Sequence, residues 1–313
     1  MERPFRDPTG INKAIAATRS GLRRYPRELL ASLRNDDAAT QAIERSNGAD
    51  ADPLTTWLGM DGVDGAAWLG HAGVLIRVGG VTILTDPVFS ERIGPRFGAR
   101  TFGIARLAPA PLPPELLPPI DLLLLSHAHF DHLDRPTLQR LASPRTTVVT
   151  ARRTAGLIPR GYRRIIELDW RLRLRFQSLR ITAIRPAHWG ARSAFDINRG
   201  YNAYLIEGAG VRIIFGGDTA STRAFDELRP VDLAILGIGA YEGWDHRHAT
   251  PEEAWSMARR MKAARILPMH HATFDLGETS ADEPLLRLLE AAGPSGAKRI
   301  ICPAVGGVWS AEG

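Results

Sequence analysis

Two stretches of this chain echo each other at a constant separation of 130 residues: "GHAGVLIRVGGVTIL" begins at Gly70 and "GYNAYLIEGAGVRII" at Gly200. Leu75 and Ile76 align with Leu205 and Ile206, Gly80 and Val81 with Gly210 and Val211, and Ile83 with Ile213. The first copy places two short apolar runs around Gly79-Gly80, which is a hairpin signal. A second echo follows each copy, "PIDLLLL" from Pro119 and "PVDLAIL" from Pro230. Apolar runs of that length read as strands buried on both faces. The chain is therefore built from two related halves, each a hairpin, a spacer and a buried strand.

Helical patterns intervene. In "DRPTLQRLAS", Asp134 and Pro136 suit a helix start. In "TPEEAWSMARRMKAA", Thr250 reads as the cap, Pro251 as the first helical residue and Glu253 as the capping-box partner. "DEPLLRLLEAAG" ends on a glycine stop. Strands alternating with helices in two similar halves suggest an α/β protein with two sheets face to face and helices outside.

Residues 1–65 read differently, as a helical arm and linker ahead of a domain over 66–313. Ile11, Ile15, Leu22, Leu29, Leu30 and Leu33 lie among Arg19, Arg23, Arg24, Arg27 and Arg34, and Pro26 splits the segment into two short helices. An arm packed on the main domain is the first reading; a basic amphipathic helix touching a membrane surface is the second. The net charge of +6 fits several anionic partners and selects none. The one cysteine, Cys302, excludes an internal disulfide. The N-terminus has no apolar signal core and no run reaches the length of a spanning helix, so a cytoplasmic location, with or without peripheral membrane contact, is expected.

The chemistry concentrates at the downstream ends of apolar runs. "LLLLSHAHFDHLD" (122–134) drives four leucines into His127, His129, Asp131 and His132. His127 and His129 are two apart, which places them on one side of an extended backbone. "ITAIRPAHW" brings His188, "VRIIFGGDT" brings Asp218, and "ARILPMHHATF" brings His270 and His271. Six of the nine histidines fall in these four places, a pattern that packing alone does not call for. Imidazole and carboxylate are good zinc donors, and there are more of them than one tetrahedral ion can use.

With its downstream His188, Asp218 and His270, "SHAHFDHLD" resembles the metallo-β-lactamase superfamily, whose αββα sandwich of two similar halves agrees with the repeat. "WLGHAGVLI", "LTDPVFSERIGP", "IELDW", "HW", "FGGDT", "VDLAILGIGAYE", "HATPEEA" and "MHHATF" follow the order found in N-acyl-phosphatidylethanolamine-hydrolysing phospholipase D and its bacterial relatives. The resemblance implies two zinc ions, with manganese or iron as alternative metals. One would be held by His127, His129 and His188, the other by Asp131, His132 and His270, with Asp218 bridging both. It also brings His248 near the reacting group. The sequence departs from the pattern at "INRGYNAY" and at His271, both expected near the cleft.

Two zinc ions sharing a water lower its pKa towards neutrality. The expected activity is a phosphodiesterase of the phospholipase D-like branch, using a metal-bridging hydroxide on a small or lipid-derived substrate. Asp131 and Asp218 anchor the metals, and His248 steadies the phosphate or protonates the leaving alkoxide. A lactonase or other carboxylic ester hydrolase on the same metals is the alternative. A nuclease ranks lower: the span from Asp218 to His270 has no room for the large insert of one nuclease branch. Asp86 reads either as a carboxylate orienting a ligand imidazole or as the start of an Asp-Pro turn, and His71 is similarly divided; His246 is expected at the surface.

Overall fold

The two hairpins of the repeat are the centres of two sheets. The computed structural model describes residues 53–60, 62–98, 100–193, 196–277 and 280–311; most of the N-terminal arm, with its two expected helices, lies outside them. A short helix α1 (Pro53–Leu58) precedes strands β1 (Gly65–Gly70), β2 (Gly73–Val78) and β3 (Val81–Thr85). Two small ribbons follow, Arg92–Ile93 with Ile104–Ala105 and Arg96–Phe97 with Arg100–Thr101. Then come β4 (Leu122–Leu125), α2 (Arg135–Arg140), β5 (Thr147–Thr150), β6 (Arg164–Glu167), β7 (Arg173–Phe176), β8 (Leu179–Ile184), β9 (Ala203–Gly208), β10 (Val211–Phe215) and β11 (Leu233–Gly237). The described chain ends with α3 (Pro251–Arg260), β12 (Arg265–Met269), α4 (Glu283–Ala297) and β13 (Val308–Ser310).

One sheet has the order β6-β5-β4-β3-β2-β1-β13 and the other β7-β8-β9-β10-β11-β12. The sequence repeat is a repeat of register. Ile83 pairs with Leu122 in parallel between β3 and β4, and its echo Ile213 pairs with Leu233 between β10 and β11. Both hairpins turn through two residues at positive φ, Gly79 and Gly80 in the first, Ala209 and Gly210 in the second, which suits the right-handed twist of paired strands. The two turns meet, because a Cβ on Gly79 would lie 2.8 Å from the Cβ of Ala209.

Alternation along the strands sorts the apolar side chains into three interfaces. Trp68, Ile76, Ile83, Leu122 and Leu124 of the first sheet pack against Ile181, Tyr204, Ile206, Phe215 and Leu267 of the second. The outer face of the second sheet, with Leu205, Ile214, Leu236 and Ile266, is covered by Trp255, Met257 and Leu288 of the helices. Leu69, Leu75, Leu84 and Leu123 meet Leu54 and Trp57 of α1 and Leu138 of α2 on the far side. The result is the helix–sheet–sheet–helix layering expected from the sequence. Arg77 ties α1 down by donating to the carbonyls of Trp57, Leu58 and Met60.

The helix signals read from sequence take effect at the expected residues. Asp134 accepts from the Thr137 amide at the start of α2. Thr250 and Glu253 form a reciprocal capping box on α3, with Pro251 in its first turn. Gly293 breaks the helical path inside α4 at φ 65°, followed directly by Pro294.

Candidate metal centre

Every expected ligand follows the end of a strand. β4 stops at Leu125 and Ser126–His132 continue as a loop into the turn before α2. β8 leads to His188, β10 to Asp218 and β12 to His270, while β1 leads to His71. The backbone bends sharply at these ends, with positive φ at His71 (50°), Asp86 (24°), Gly217 (52°) and His270 (63°). Such conformations cost non-glycine residues about 1–3 kcal/mol each and concentrate at functional sites. At Gly217 the bend admits no side chain, since a Cβ would lie 2.8 Å from the Cβ of Ser126 and 2.9 Å from the Asn202 carbonyl oxygen. This close approach is what carries Asp218 up to His127.

The seven expected ligands converge. Asp218 Oδ2 lies 3.0 Å from His132 Nε2, 3.3 Å from His270 Nε2, 3.6 Å from His188 Nε2 and 3.8 Å from His127 Nε2. His127 Nε2 is 2.7 Å from His129 Nδ1, which is 3.4 Å from His188 Nε2. Asp131 Oδ2 lies 3.4 Å from His270 Nε2 and 3.7 Å from His132 Nε2. Two four-residue donor sets result, His127–His129–His188–Asp218 and His71–Asp131–His132–His270, overlapped by the triplets Asp86–His127–His132 and Asp218–His248–His270. His248 also belongs to the cluster, with Nδ1 3.8 Å from Asp218 Oδ2.

Behind the ligands lies a hydrogen-bonded support. Asp86, fully buried, accepts from the Ser126 amide through Oδ1 at 2.7 Å and from the Ser126 hydroxyl through Oδ2. The same Oδ2 is 2.7 Å from His132 Nδ1, and Ser126 Oγ is 2.8 Å from His127 Nδ1. Both rings are thereby turned with Nε2 towards the cluster. His188 Nδ1 is tied at 3.0 Å to the Arg247 carbonyl, with the same effect. Arg192 grips the ligand loop by donating to the carbonyls of Ala128 and Leu133, with its guanidinium 3.9 Å above the Phe130 ring. Tyr204 of one sheet donates to the Leu125 carbonyl of the other, directly beneath the loop.

The electrostatics divide the candidate ligands. Burial lowers the pKa of His127 and His188 well below the ordinary value and that of His129 to about 4, so these rings are neutral donors at pH 7. Burial would also raise Asp218, yet the imidazoles of His132, His270 and His248 hold its carboxyl well below the usual range. In turn, against the same burial, Asp218 and Asp131 push His270 up to about 9 and His132 well above 6.5. The buried carboxylates thus require positive charge, which protons on His132 and His270 supply when no cation does.

A metal fits these residues. Both carboxylate oxygens of Asp218, Nε2 of His132 and both ring nitrogens of His270 are buried without hydrogen-bond geometry to any partner, although oxygen and nitrogen stand as close as 3.0 Å. Buried polar atoms normally find partners. Nε2 of His132 and Nε2 of His270 stand 3.0 and 3.3 Å from Asp218 Oδ2 without hydrogen-bond geometry to it, the arrangement of co-ligands around a cation.

Several residues were undervalued or misread from sequence. Asp86 is both the turn and the supporting carboxylate, so its two readings hold together. His71 stands 3.0 Å from Asp131 Oδ2, and its ring is 4.1 Å from that of His270. The only signal for it was the position of "GH" at a strand end. His246, expected at the surface, is half-buried and stacks on Trp244. His271 turns away from the cleft into the core, stacked 4.6 Å from Trp68. Nothing in the sequence singled out Arg192; Trp189 entered only through the "HW" motif, and its ring lies 4.5 Å from that of His129.

Comparison with known proteins gives a consistent picture. A family described as the beta-lactamase superfamily domain matches residues 81–271. An uncharacterized protein of Mycobacterium tuberculosis is 32% identical over 247 residues, covering 73% of this chain and 64% of the relative. N-acyl-phosphatidylethanolamine-hydrolyzing phospholipase D 1 of Caenorhabditis elegans is 30% identical over 235 residues, covering 68% of this chain and 65% of the relative. The chain therefore spans a little under two thirds of the length of these relatives. Among solved structures, a metallo hydrolase from the hyperthermophilic archaeon Ignicoccus hospitalis superposes with a TM-score of 0.58 at 17% identity, covering 79% of this chain and 98% of the other, a likeness of fold.

Proposed function

The chain belongs to the β-lactamase superfamily and is a metal-dependent hydrolase, and from that premise we propose that it is a dinuclear zinc phosphodiesterase. The observation that carries the reading is the convergence on Asp218, whose Oδ2 lies within 3.8 Å of five imidazole nitrogens. His127, His129 and His188 would hold one ion, Asp131, His132 and His270 the other, and Asp218 both. Zinc suits a set of imidazoles and carboxylates without thiolate. Bound there, a metal pair supplies a water of lowered pKa and positive charge for a developing oxyanion.

The chain's own groups do the rest. The Asp86–Ser126 pair keeps Nε2 of His127 and His132 as donors towards the centre. Burial pushes His248 down to about 4, so at neutral pH it is a neutral ring. A neutral imidazole donates one N–H hydrogen bond, which favours holding a phosphoryl oxygen over delivering a stored proton. Trp189, half-buried beside His129, walls the centre and limits water around it.

The similarity to the C. elegans phospholipase D favours a phosphodiester over a carboxylic ester as substrate. No helix among the described residues is long and apolar enough to cross a membrane. Metal quantification and turnover of bis-p-nitrophenyl phosphate, run beside a lactone panel, test the assignment. About two equivalents of zinc and phosphodiester turnover that His129→Ala abolishes are expected. Turnover of lactones alone would replace the phosphodiester by an ester, and His129→Ala with full activity would remove the ligand set.

A further inference from the structure

A second cavity opens on the far side of His188. It has a volume of about 360 Å³ and is lined by Arg185, His188, Tyr201, His246 and Arg247 among others. His188 is shared between the two sites: its Nε2 faces Asp218 at 3.6 Å, while its other nitrogen meets the Arg247 carbonyl at 3.0 Å. An anion held in this cavity would therefore sit one imidazole away from the candidate metal centre.

The two arginines rest on aromatic faces. Arg185 lies with Cζ 4.5 Å above the Trp170 ring, and Arg247 with Cζ 5.4 Å from the Trp189 ring. Trp170 is itself pinned, its Nε1 donating to the Tyr201 carbonyl at 2.7 Å. Trp189 is held between His129 and Trp244, stacked on the latter at 5.7 Å and 14°. Arg247 Nη1 returns a hydrogen bond to the His188 carbonyl at 3.4 Å. Among the described residues neither guanidinium lies within 4.0 Å of a carboxylate, whereas Arg140, Arg199, Arg260 and Arg287 all do. An arginine held by a carboxylate is neutralised by its own support. One held by an aromatic face keeps its charge and its N–H groups for a ligand. Nearby Asp245 Oδ1 lies 4.0 Å from His246 Nδ1.

We propose that this cavity is a subsite for a phosphate monoester group, and that the enzyme takes phosphodiesters carrying a second phosphate beyond the scissile one. The inference rests on the phosphodiesterase reading for the word substrate, but the subsite itself is defined by Arg185 and Arg247. Planar guanidiniums match phosphate oxygens in geometry and charge, and a half-open cavity lets the group remain partly hydrated. The reacting diester would lie over the metal ligands and the second phosphate on the other side of His188.

The test is calorimetric titration of the metal-loaded full-length protein with alkane-α,ω-diyl bisphosphates of three to six carbons, against the matching alkyl monophosphates. Two linked sites raise affinity well beyond one, so the best-fitting bisphosphate should bind at least about tenfold more tightly than its monophosphate. Arg185→Gln/Arg247→Gln should erase most of that advantage, and Arg185→Lys/Arg247→Lys, which keeps the charge, should retain part of it. Unfolding transitions of all variants, recorded in parallel, separate lost binding from lost structure. Equal affinity of bisphosphate and monophosphate at every length in the parent protein would overturn the proposal, as would an undiminished advantage in the glutamine pair. If monophosphate plus free inorganic phosphate matches the bisphosphate, the cavity binds an independent anion and the substrate-borne version fails. Turnover of bis-p-nitrophenyl phosphate is scored separately: its absence with the bisphosphate preference intact removes the reaction and leaves the subsite.

Discussion

Asp86 makes no contact that turns over substrate in this scheme, yet its replacement should disable the centre, and the size of the effect follows from its hydrogen bonds. Its carboxylate serves three buried donors: the Ser126 amide, the Ser126 hydroxyl and His132 Nδ1. Asp86→Ala would strand them, and at about 1–3 kcal/mol per unsatisfied group the loss in stability is about 3–9 kcal/mol. Asp86→Asn isolates the functional part. Asparagine tolerates the left-handed backbone at φ 24° and can still accept from the Ser126 amide. Its amide NH2 would face His132 Nδ1, which must then become the acceptor. The proton moves to Nε2, and the ring loses the lone pair it aims at Asp218 and the metal. Loss of such a supporting partner costs about 10–100-fold in metal affinity, or roughly 1.4–2.7 kcal/mol. Competition with a chromophoric zinc chelator at pH 7.5, fitted for two sites, reads this directly, and urea unfolding of the metal-free variants reads stability. The site containing His132 should weaken most in Asp86→Asn, with a smaller loss at the site of His127, whose Nδ1 Asp86 reaches only through Ser126. Parental zinc affinity at both sites would refute the tautomer argument, and a weakening confined to the other site would show the assignment of ligands to be inverted.

Tyr204→Phe should destabilise the protein by about 1–2 kcal/mol in urea unfolding, because the Leu125 carbonyl and the Asn202 amide each lose a buried partner; no change would mean that the tie between the sheets is idle. His248→Gln should lower kcat by about 10–100-fold with metal content unaltered, since it removes one oriented donor at the developing charge; parental kcat would exclude a role in the transition state. Above about pH 7.5, where the histidines with lowered values are neutral whether folded or unfolded, the metal-free protein should lose stability as pH rises. His270, held at about 9 against 6.5 unfolded, contributes fully below pH 6.5 and loses its contribution as pH climbs through 9. The change is on the order of 2 kcal/mol, read by thermal or urea unfolding from pH 7.5 to 10, and zinc should flatten it by replacing the proton. A metal-free protein equally stable at pH 7.5 and 10 would contradict the charge balance assigned to His270, Asp131 and Asp218.

Much of the site was legible because its determinants are local. Apolar runs of strand length specify where a strand ends, and a ligand one to three residues beyond that end must emerge at the same edge of the sheet as its counterparts. Leu122–Leu125 followed by His127, and Arg265–Met269 followed by His270, are of this kind. The capping box at Thr250 and Glu253 is likewise contained within four residues. What could not be read are contacts made across the sandwich or between distant loops. His71 meets Asp131 sixty residues away, and Arg192 reaches the carbonyls of Ala128 and Leu133 from the other half of the chain. His271 shows the opposite failure. One residue after a ligand it was expected at the cleft, but the left-handed turn at His270 sends successive side chains to opposite sides, and the ring stacks on Trp68 instead.

The sequence alone determined the two-fold build of the chain, because hydrophobic period and turn chemistry are properties of neighbours along the backbone. It also fixed which side chains stand at strand ends, and hence the candidate ligands. The tertiary structure decided how they are grouped around Asp218, which of them are charged when no metal is bound, and that Arg185 and Arg247 keep their charge on aromatic faces beside His188. Charge state and orientation depend on burial and on partners brought together from both sheets, and these come into existence only when the sandwich closes.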